Sequence, residues 1–167
     1  MNSETTKTAL SRLKALLGPK GYSDDADDLA PWLTDWRDLF HGAAQAMLSP
    51  ANTGEVSAIV SIAREAGIPI VPQGGNTGMV GGATPSATGN ALLLSLRRMN
   101  AIRSIDATSG IAVAEAGVIL SNLHDAALAK GMRFPLSLGA KGSATIGGLV
   151  STNAGGTQVL RFGTMRK

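Results

Sequence analysis

The chain has 167 residues, 44% hydrophobic and 4% aromatic, with a formal net charge of +3 and no cysteine. That composition suits a globular protein with a sizeable core and excludes disulfides and thiolate metal sites. No run of 18 apolar residues occurs, so no transmembrane helix is predicted. The N-terminus carries acids and lacks an apolar stretch followed by small residues, unlike a secretory leader. A cytoplasmic protein is therefore expected. With seven acids in the first 38 residues and only six aromatics, no nucleic-acid partner is expected either.

Residues 5–17 carry Ala9, Leu10, Leu13, Leu16 and Leu17 at helical spacing, and Gly18-Pro19 should stop the helix. Residues 23–40 hold five acids before Trp36 and read as a surface connector. Asn52 and Glu55 have capping-box spacing. A helix face of Val56, Ile59, Val60, Ala63 and Ala66 then follows and ends at Gly67. Residues 68–71 form a short apolar strand, the helix-to-strand step of an α/β unit. A buried strand is predicted over 91–96, and an antiparallel hairpin over 101–106 and 111–116, turning at Thr108-Ser109-Gly110. Residues 120–130 are helical with Leu120, Leu123, Ala127 and Leu128 facing inward and Gly131 at the C-terminal cap. Residues 134–156 contain six glycines and no clear period. The predicted class is α+β, with two long glycine-rich loops.

The first loop, VPQGGNTGMVGG, has five glycines in the eleven positions after Val71. Each costs about 0.5–1 kcal/mol in lost chain entropy, so either the chain bends there as only glycine allows or something approaches the backbone closely. Residues 66–105 and 126–167, which contain the two loops, hold no carboxylate, as an anion site requires. Free N–H groups in such turns can cradle a pyrophosphate. The dinucleotide fingerprint G-x-G-x-x-G is absent, as is the G-x-x-x-x-G-K-[ST] phosphate loop. What remains is an atypical cradle in which Gln73, Asn76 and Thr77 bring side-chain polar groups to the first loop. Ser143, Thr145, Thr152 and Asn153 do so in the second. Two such loops suit one extended, phosphate-bearing ligand; the competing reading is that both are merely tight turns.

PQGGNTGMVGG, the EAGV at 115–118, PLSLGAKGSATIGGLVSTNAGG at 135–156 and LRFGTMR at 160–166 closely resemble the FAD-linked oxidase family, whose flavin domain is shared with vanillyl-alcohol oxidase. The first and third motifs are most similar to its D-2-hydroxyacid dehydrogenase branch, and the resemblance runs from about Trp36 to the last residue. It implies a PCMH-type FAD-binding domain over 39–167, made of a small α/β subdomain and the start of a second mixed sheet. Residues 1–38 would precede it as a helix and acidic connector. The chain would be incomplete at its C-terminus. The resemblance assigns FAD contacts to Gln73, Gly74, Gly75, Asn76, Thr77, Gly78 and Met79 in the first loop. In the second it assigns Leu138, Gly139, Ala140, Ser143, Gly147, Gly148 and Asn153. Covalent members place a histidine where this chain has Asn76, so FAD is expected to be non-covalent. Gln73 replaces an arginine found in many relatives, which removes a cation near the phosphates.

The implied activity is oxidation of D-2-hydroxyglutarate or D-lactate to the 2-oxo acid, with hydride passing to flavin N5 and an electron acceptor regenerating FAD. The implied substrate site lies in an absent C-terminal domain, and no catalytic or metal-binding residue is assigned within this chain. The alternatives are a non-catalytic flavin- or nucleotide-binding fragment, and the same flavin domain from another oxidase such as a glycolate oxidase subunit. His41 and His124 lack partners for metal binding or catalysis. Trp32 and Trp36 suit packing. Arg97 and Arg98 suit solvated strand-end positions, with a phosphate contact as the lesser alternative. Ser143 lacks the G-x-S-x-G elbow and matching base of a nucleophile.

Overall fold

Ala9, Leu13 and Leu17 recur on one face of α1 (Ser3–Gly21), and all three are buried. In this computed structural model, which describes residues 3–166, α1 loses its helical geometry at Gly18 (φ 61°, ψ −173°), beside Pro19. β1 (Tyr22–Ser23) and α2 (Ala26–Leu29) follow, then a 3-10 turn over Ala30–Trp32. Asp25 caps α2 by accepting from the Asp27 and Asp28 N–H groups. The acidic connector is thus ordered, and at its centre Asp35 is buried.

β2 (Ala44–Leu48) leads through Asn52 into α3 (Thr53–Ala66). Asn52 Oδ1 accepts from the Glu55 N–H at 2.9 Å, while Glu55 Oε2 accepts from the Ala51 N–H at 2.7 Å. The first bond satisfies a donor that a helix start leaves free, and the second ties the residue before the cap to the first turn. Gly67, in the left-handed region at φ 67°, closes α3. The inward face of α3 is Ile59, Ile62 and Ala63; Val60, expected inward, is 47% exposed. At 100° per residue the stripe centres on Ile59 and Ala63, which leaves Val60 on its flank.

β3 (Ile70–Gln73) and β4 (Ala91–Ser95) complete a sheet of order β1-β2-β4-β3. β2, β4 and β3 are parallel and β1 is antiparallel. All five residues of β4 are buried, as expected for the central strand of a largely parallel sheet. Leu92 and Leu94 join Ala46, Leu48, Ile59, Ile62 and the α1 residues in one core. This first unit ends at Arg98, and a second begins at Met99.

In the second unit β5 (Ile102–Asp106) and β6 (Ile111–Ala114) form the predicted antiparallel hairpin, with Gly110 at φ 70° in its turn. α4 (Leu120–Leu128) buries Leu120, Leu123 and Ala127 but leaves Leu128 73% exposed, against expectation. The segment after Gly131, which shows no period, contains α5 (Ile146–Ser151) and α6 (Val159–Phe162). Leu120, Leu136, Ala144 and Leu149 make the second core.

Glu115 ties the base of the hairpin: its carboxylate accepts from the Ala101 N–H at 2.9 Å and from Arg103 at 3.0 Å. These two bonds hold the Glu115 carboxyl below its ordinary value against the opposing effect of burial. A depressed folded-state pKa stabilises above the unfolded value, and that stability is lost as pH falls through the folded one. Protection of the Ala101 amide from exchange should therefore collapse as pH drops below the usual carboxylate range, and Glu115→Gln should abolish that pH dependence. In the first unit, Leu92→Ala should lower stability by about 2–5 kcal/mol. Val60→Ala should change it by no more than about 0.5 kcal/mol, both read from urea midpoints.

Candidate functional site

β3 and β4 run side by side, with Gln73 opposite Ser95. The first glycine loop therefore leaves the C-terminal end of a parallel strand, the edge of an open α/β sheet where ligands generally bind. Gln73 is itself buried, at 2% exposure, and its Nε2 donates to the carbonyls of Trp32 and Ala83, each at 2.9 Å. Both amide hydrogens are thus committed inside the protein. One bond closes the base of the loop and the other ties it to the connector.

Asn76 repeats the pattern. Its Nδ2 donates to the Thr34 carbonyl at 2.7 Å, and its backbone lies in the left-handed region at φ 52°, which asparagine tolerates better than most residues. Phe40 covers the far end of the loop: a Cβ on Gly81 would lie 2.9 Å from its ring. Gly74, Gly75 and Thr77 are half-buried between these anchors, while Gly78 and Met79 are exposed. A Cβ on Gly78 would meet nothing within 4 Å, and no left-handed φ requires glycine there.

The connector that reaches the loop owes its shape to Asp35. Its carboxylate accepts from the Arg37, Leu39 and Phe40 N–H groups at 3.3, 2.8 and 2.7 Å. Burial pushes the Asp35 pKa up, but these bonds together with nearby Arg37 outweigh it and hold the carboxyl below its ordinary value.

At the end of β4, Arg97 departs from the solvated role expected of it. Its guanidinium stacks 3.3 Å above the Trp32 ring, and its Nε donates to the buried Ser95 hydroxyl at 3.1 Å. Arg98 donates to the Ser49 carbonyl at 2.7 Å. Of the two histidines, His41 lies 3.7 Å from Asp38, and His124 contacts the Leu136 carbonyl at 2.8 Å. Among the described residues no cluster of histidine and carboxylate could hold a metal ion.

In the second unit the loop before α5 begins with half-buried Leu138, exposed Gly139 and half-buried Ala140, and continues to exposed Ser143. Leu138 and Ala140 pack on the second core. A Cβ on Gly139 or Gly142 would meet nothing within 4 Å, again without a left-handed φ. Gly147 differs, because a Cβ there would lie 2.7 Å from that of Ala116, and its N–H donates to the Ala116 carbonyl. Close packing of α5 on the chain explains that glycine. Gly148, within α5, accepts from the Thr152 hydroxyl at 2.9 Å. Asn153, left-handed at φ 49°, accepts from the Arg166 N–H at 3.0 Å.

The buried hydroxyls of Thr84, beside the first loop, and Thr145, within the second, have no hydrogen-bond partner. The concavity lined by Phe134, Leu136, Val159 and Phe162 and the one lined by Thr8, Arg12, Ile62 and Glu65 include none of the candidate residues. The connector residues Thr34, Asp35 and Phe40 gave no signal as site residues, whereas Trp32 and Arg97 were expected chiefly to pack and to be solvated. Thr34, Phe40 and Arg97 meet Asn76, Gly81 and Trp32 across about 40 to 65 positions of sequence, and no local pattern announces such contacts.

D-2-hydroxyglutarate dehydrogenase, mitochondrial, of Arabidopsis thaliana is 44% identical over 156 residues, covering 93% of this chain and 28% of that protein. The putative mitochondrial D-lactate dehydrogenase C713.03 of Schizosaccharomyces pombe is 38% identical, covering 95% of the chain and 30% of its own length. This chain thus spans less than a third of either relative. Both are named mitochondrial, which points away from the cytoplasmic setting expected above and overturns that expectation. Composition excluded disulfides but carries no cellular address.

An alkyldihydroxyacetonephosphate synthase structure superposes with a TM-score of 0.85 at 23% identity, covering 95% of this chain and 31% of that one. p-Cresol methylhydroxylase superposes at 0.74 and 24% identity, covering 93% and 30%. At these identities they show the fold, the PCMH-type arrangement anticipated from the motifs. A family profile described as FAD binding domain matches residues 44–167, a span that holds both glycine loops, and the chain belongs to that FAD-binding family.

Proposed function

We propose that this chain is the FAD-binding portion of a flavin-dependent dehydrogenase that oxidises a D-2-hydroxy acid, D-2-hydroxyglutarate or D-lactate, to the 2-oxo acid. The observation that carries this reading is the set of glycines the chain does not itself need. At Gly78, Gly139 and Gly142 a Cβ would meet nothing within 4 Å, and no left-handed φ demands glycine. Glycine there lowers stability through chain entropy without an internal return, and it leaves backbone N–H groups open to a close ligand. A pyrophosphate suits bare backbone of this kind, and the absence of carboxylates from 66–105 and 126–167 suits its charge.

FAD, when bound, supplies the acceptor for a hydride from C2 of the hydroxy acid. The chain's own share is to bind and hold it. Gly74, Gly75, Asn76, Thr77, Gly78 and Met79 would contact the phosphates chiefly through their backbone, since the Gln73 and Asn76 side-chain amides already bond Trp32, Ala83 and Thr34. Leu138, Gly139, Ala140, Ser143, Gly147, Gly148 and Asn153 are assigned to the remainder of the cofactor. Asn76 offers a carboxamide where a covalent bond would need a nucleophile, so FAD is held non-covalently. Residues 39–167 form the FAD-binding domain and 1–38 lead into it. Substrate binding, turnover and delivery to an electron acceptor are assigned to the whole protein, of which this chain would be a part, and the chain alone is inactive.

The purified chain mixed with FAD should show a protein-bound flavin spectrum, and acid or denaturant should release intact FAD into the supernatant. The same sample should not oxidise D-2-hydroxyglutarate or D-lactate with an artificial electron acceptor. Failure to bind flavin would sink the reading, and flavin that stays with the precipitated chain would sink the non-covalent assignment. Two classes of glycine should also separate. Gly78→Ala and Gly139→Ala should leave Tm nearly unchanged but weaken FAD severalfold. Gly42→Ala and Gly156→Ala should instead lower Tm by several degrees, because a Cβ there would lie 2.1 Å from the Pro85 or Ser137 carbonyl oxygen.

A further inference from the structure

The first loop must hold an anion with no cation of its own, because residues 71–83 include neither lysine nor arginine. Backbone N–H groups attract phosphate, but a guanidinium adds full charge and a two-pronged geometry. Arg97 lies beside the point where the loop begins. Ser95 stands opposite Gln73 in the sheet, the Leu96 N–H donates to the Gln73 carbonyl at 3.3 Å, and Arg97 is the next residue. Trp32 grips both partners: its carbonyl accepts from Gln73, and its ring carries the Arg97 guanidinium at 3.3 Å.

Three features distinguish Arg97 from an ordinary surface arginine. It is half-buried, yet among the described residues no carboxylate pairs with it; the ion pairs formed are Arg12–Glu65, Lys14–Asp24, His41–Asp38 and Arg103–Glu115. Its orientation is fixed on one face by Trp32 and on one edge by the Ser95 hydroxyl. Its hydrogen bond to the protein is made through Nε alone, which leaves the two terminal amino groups to donate elsewhere. Burial also pulls its pKa below the ordinary arginine value, with no opposing carboxylate. A partly desolvated charge with no counter-charge is costly unless a ligand supplies one.

We propose that Arg97 is a phosphate-binding residue: held on Trp32 and Ser95, it donates its free amino groups to the pyrophosphate of the cofactor at the first loop. This rests on the FAD reading and adds a residue to it from outside both glycine loops. The cation sits on β4, and the stack on Trp32 restricts the guanidinium before the ligand arrives, so little side-chain entropy is lost on binding. The Arg98 guanidinium, bonded to the Ser49 carbonyl at 2.7 Å, is not part of the proposal.

The test is titration of the purified 167-residue chain and its R97Q and R97K variants with FAD and with riboflavin, which has no phosphate. Inorganic pyrophosphate serves as a competitor, and Tm is measured for each protein. R97Q should weaken FAD binding by about ten- to a hundredfold, leave riboflavin affinity within about twofold, and blunt competition by pyrophosphate. R97K should fall between, since it keeps the charge but loses the fork. Should R97Q fail to fold, R97K against the unaltered chain carries the same comparison. Equal loss of FAD and riboflavin would make Arg97 a scaffold residue and overturn the proposal. So would FAD affinity unchanged in both variants. If the unaltered chain binds neither FAD nor pyrophosphate, the FAD reading falls as well, an outcome distinct from normal FAD binding that ignores Arg97.

Discussion

Gln73 ends β3, and its side-chain amide is spent on two carbonyls, one of Trp32 between β1 and β2 and one of Ala83 beyond the loop. Its own backbone carbonyl accepts from the Leu96 N–H next to β4. A single buried amide thus joins connector, loop and sheet. Each carbonyl left unpaired in that interior would cost about 1–3 kcal/mol, so the loop cannot drift from the connector without breaking both bonds. The rest of the first loop depends on this constraint. Asn76 can reach Thr34, and Phe40 can lie against Gly81, only because the two segments are already clamped at Gln73.

The clamp also explains why an acidic, polar connector takes on fixed structure. Around residue 35 the apolar Trp36, Leu39 and Phe40 stay exposed, and a buried carboxylate does the organising: Asp35 gathers three backbone N–H groups of the following turn. A charge is tolerated there because it is saturated with donors. Trp32 then serves twice, through its carbonyl to Gln73 and through its ring to Arg97. Polar bonds shape the site side of this unit, while apolar burial by α1, α3 and the sheet holds its other side.

In the second unit the division of labour among glycines is sharper. Gly147 and Gly156 are demanded by packing against the Ala116 and Ser137 backbones, whereas Gly139 and Gly142 face open space. Composition alone treats all four alike. Only their neighbours separate the glycine that lets the chain pack from the glycine that leaves a backbone bare, and the bare ones are the better candidates for ligand contact.

Much of the scaffold was legible in the residues themselves. The Asn52–Glu55 cap, the left-handed Gly67, the buried ALLLS strand and the hairpin turning at Gly110 are local devices whose partners lie within a few positions. The glycine motifs likewise carried the family and its cofactor, because a pyrophosphate cradle is written as a run of small residues at fixed spacing. α5 was hidden by its own glycines, which erase helical periodicity, and β2, reading AQAML, lacks the β-branched and aromatic residues that mark a strand. Val60 and Leu128 were placed on the wrong side because a stripe only 100° wide leaves flanking residues undecided until a neighbour packs against them. Tertiary structure alone decided the polar architecture of the loop: that Gln73 and Asn76 bond the connector, and that Arg97 lies on Trp32. Such contacts join residues about 40 to 65 positions apart and depend on which strand ends the sheet brings side by side, a choice made by global burial and recorded in no local stretch of sequence.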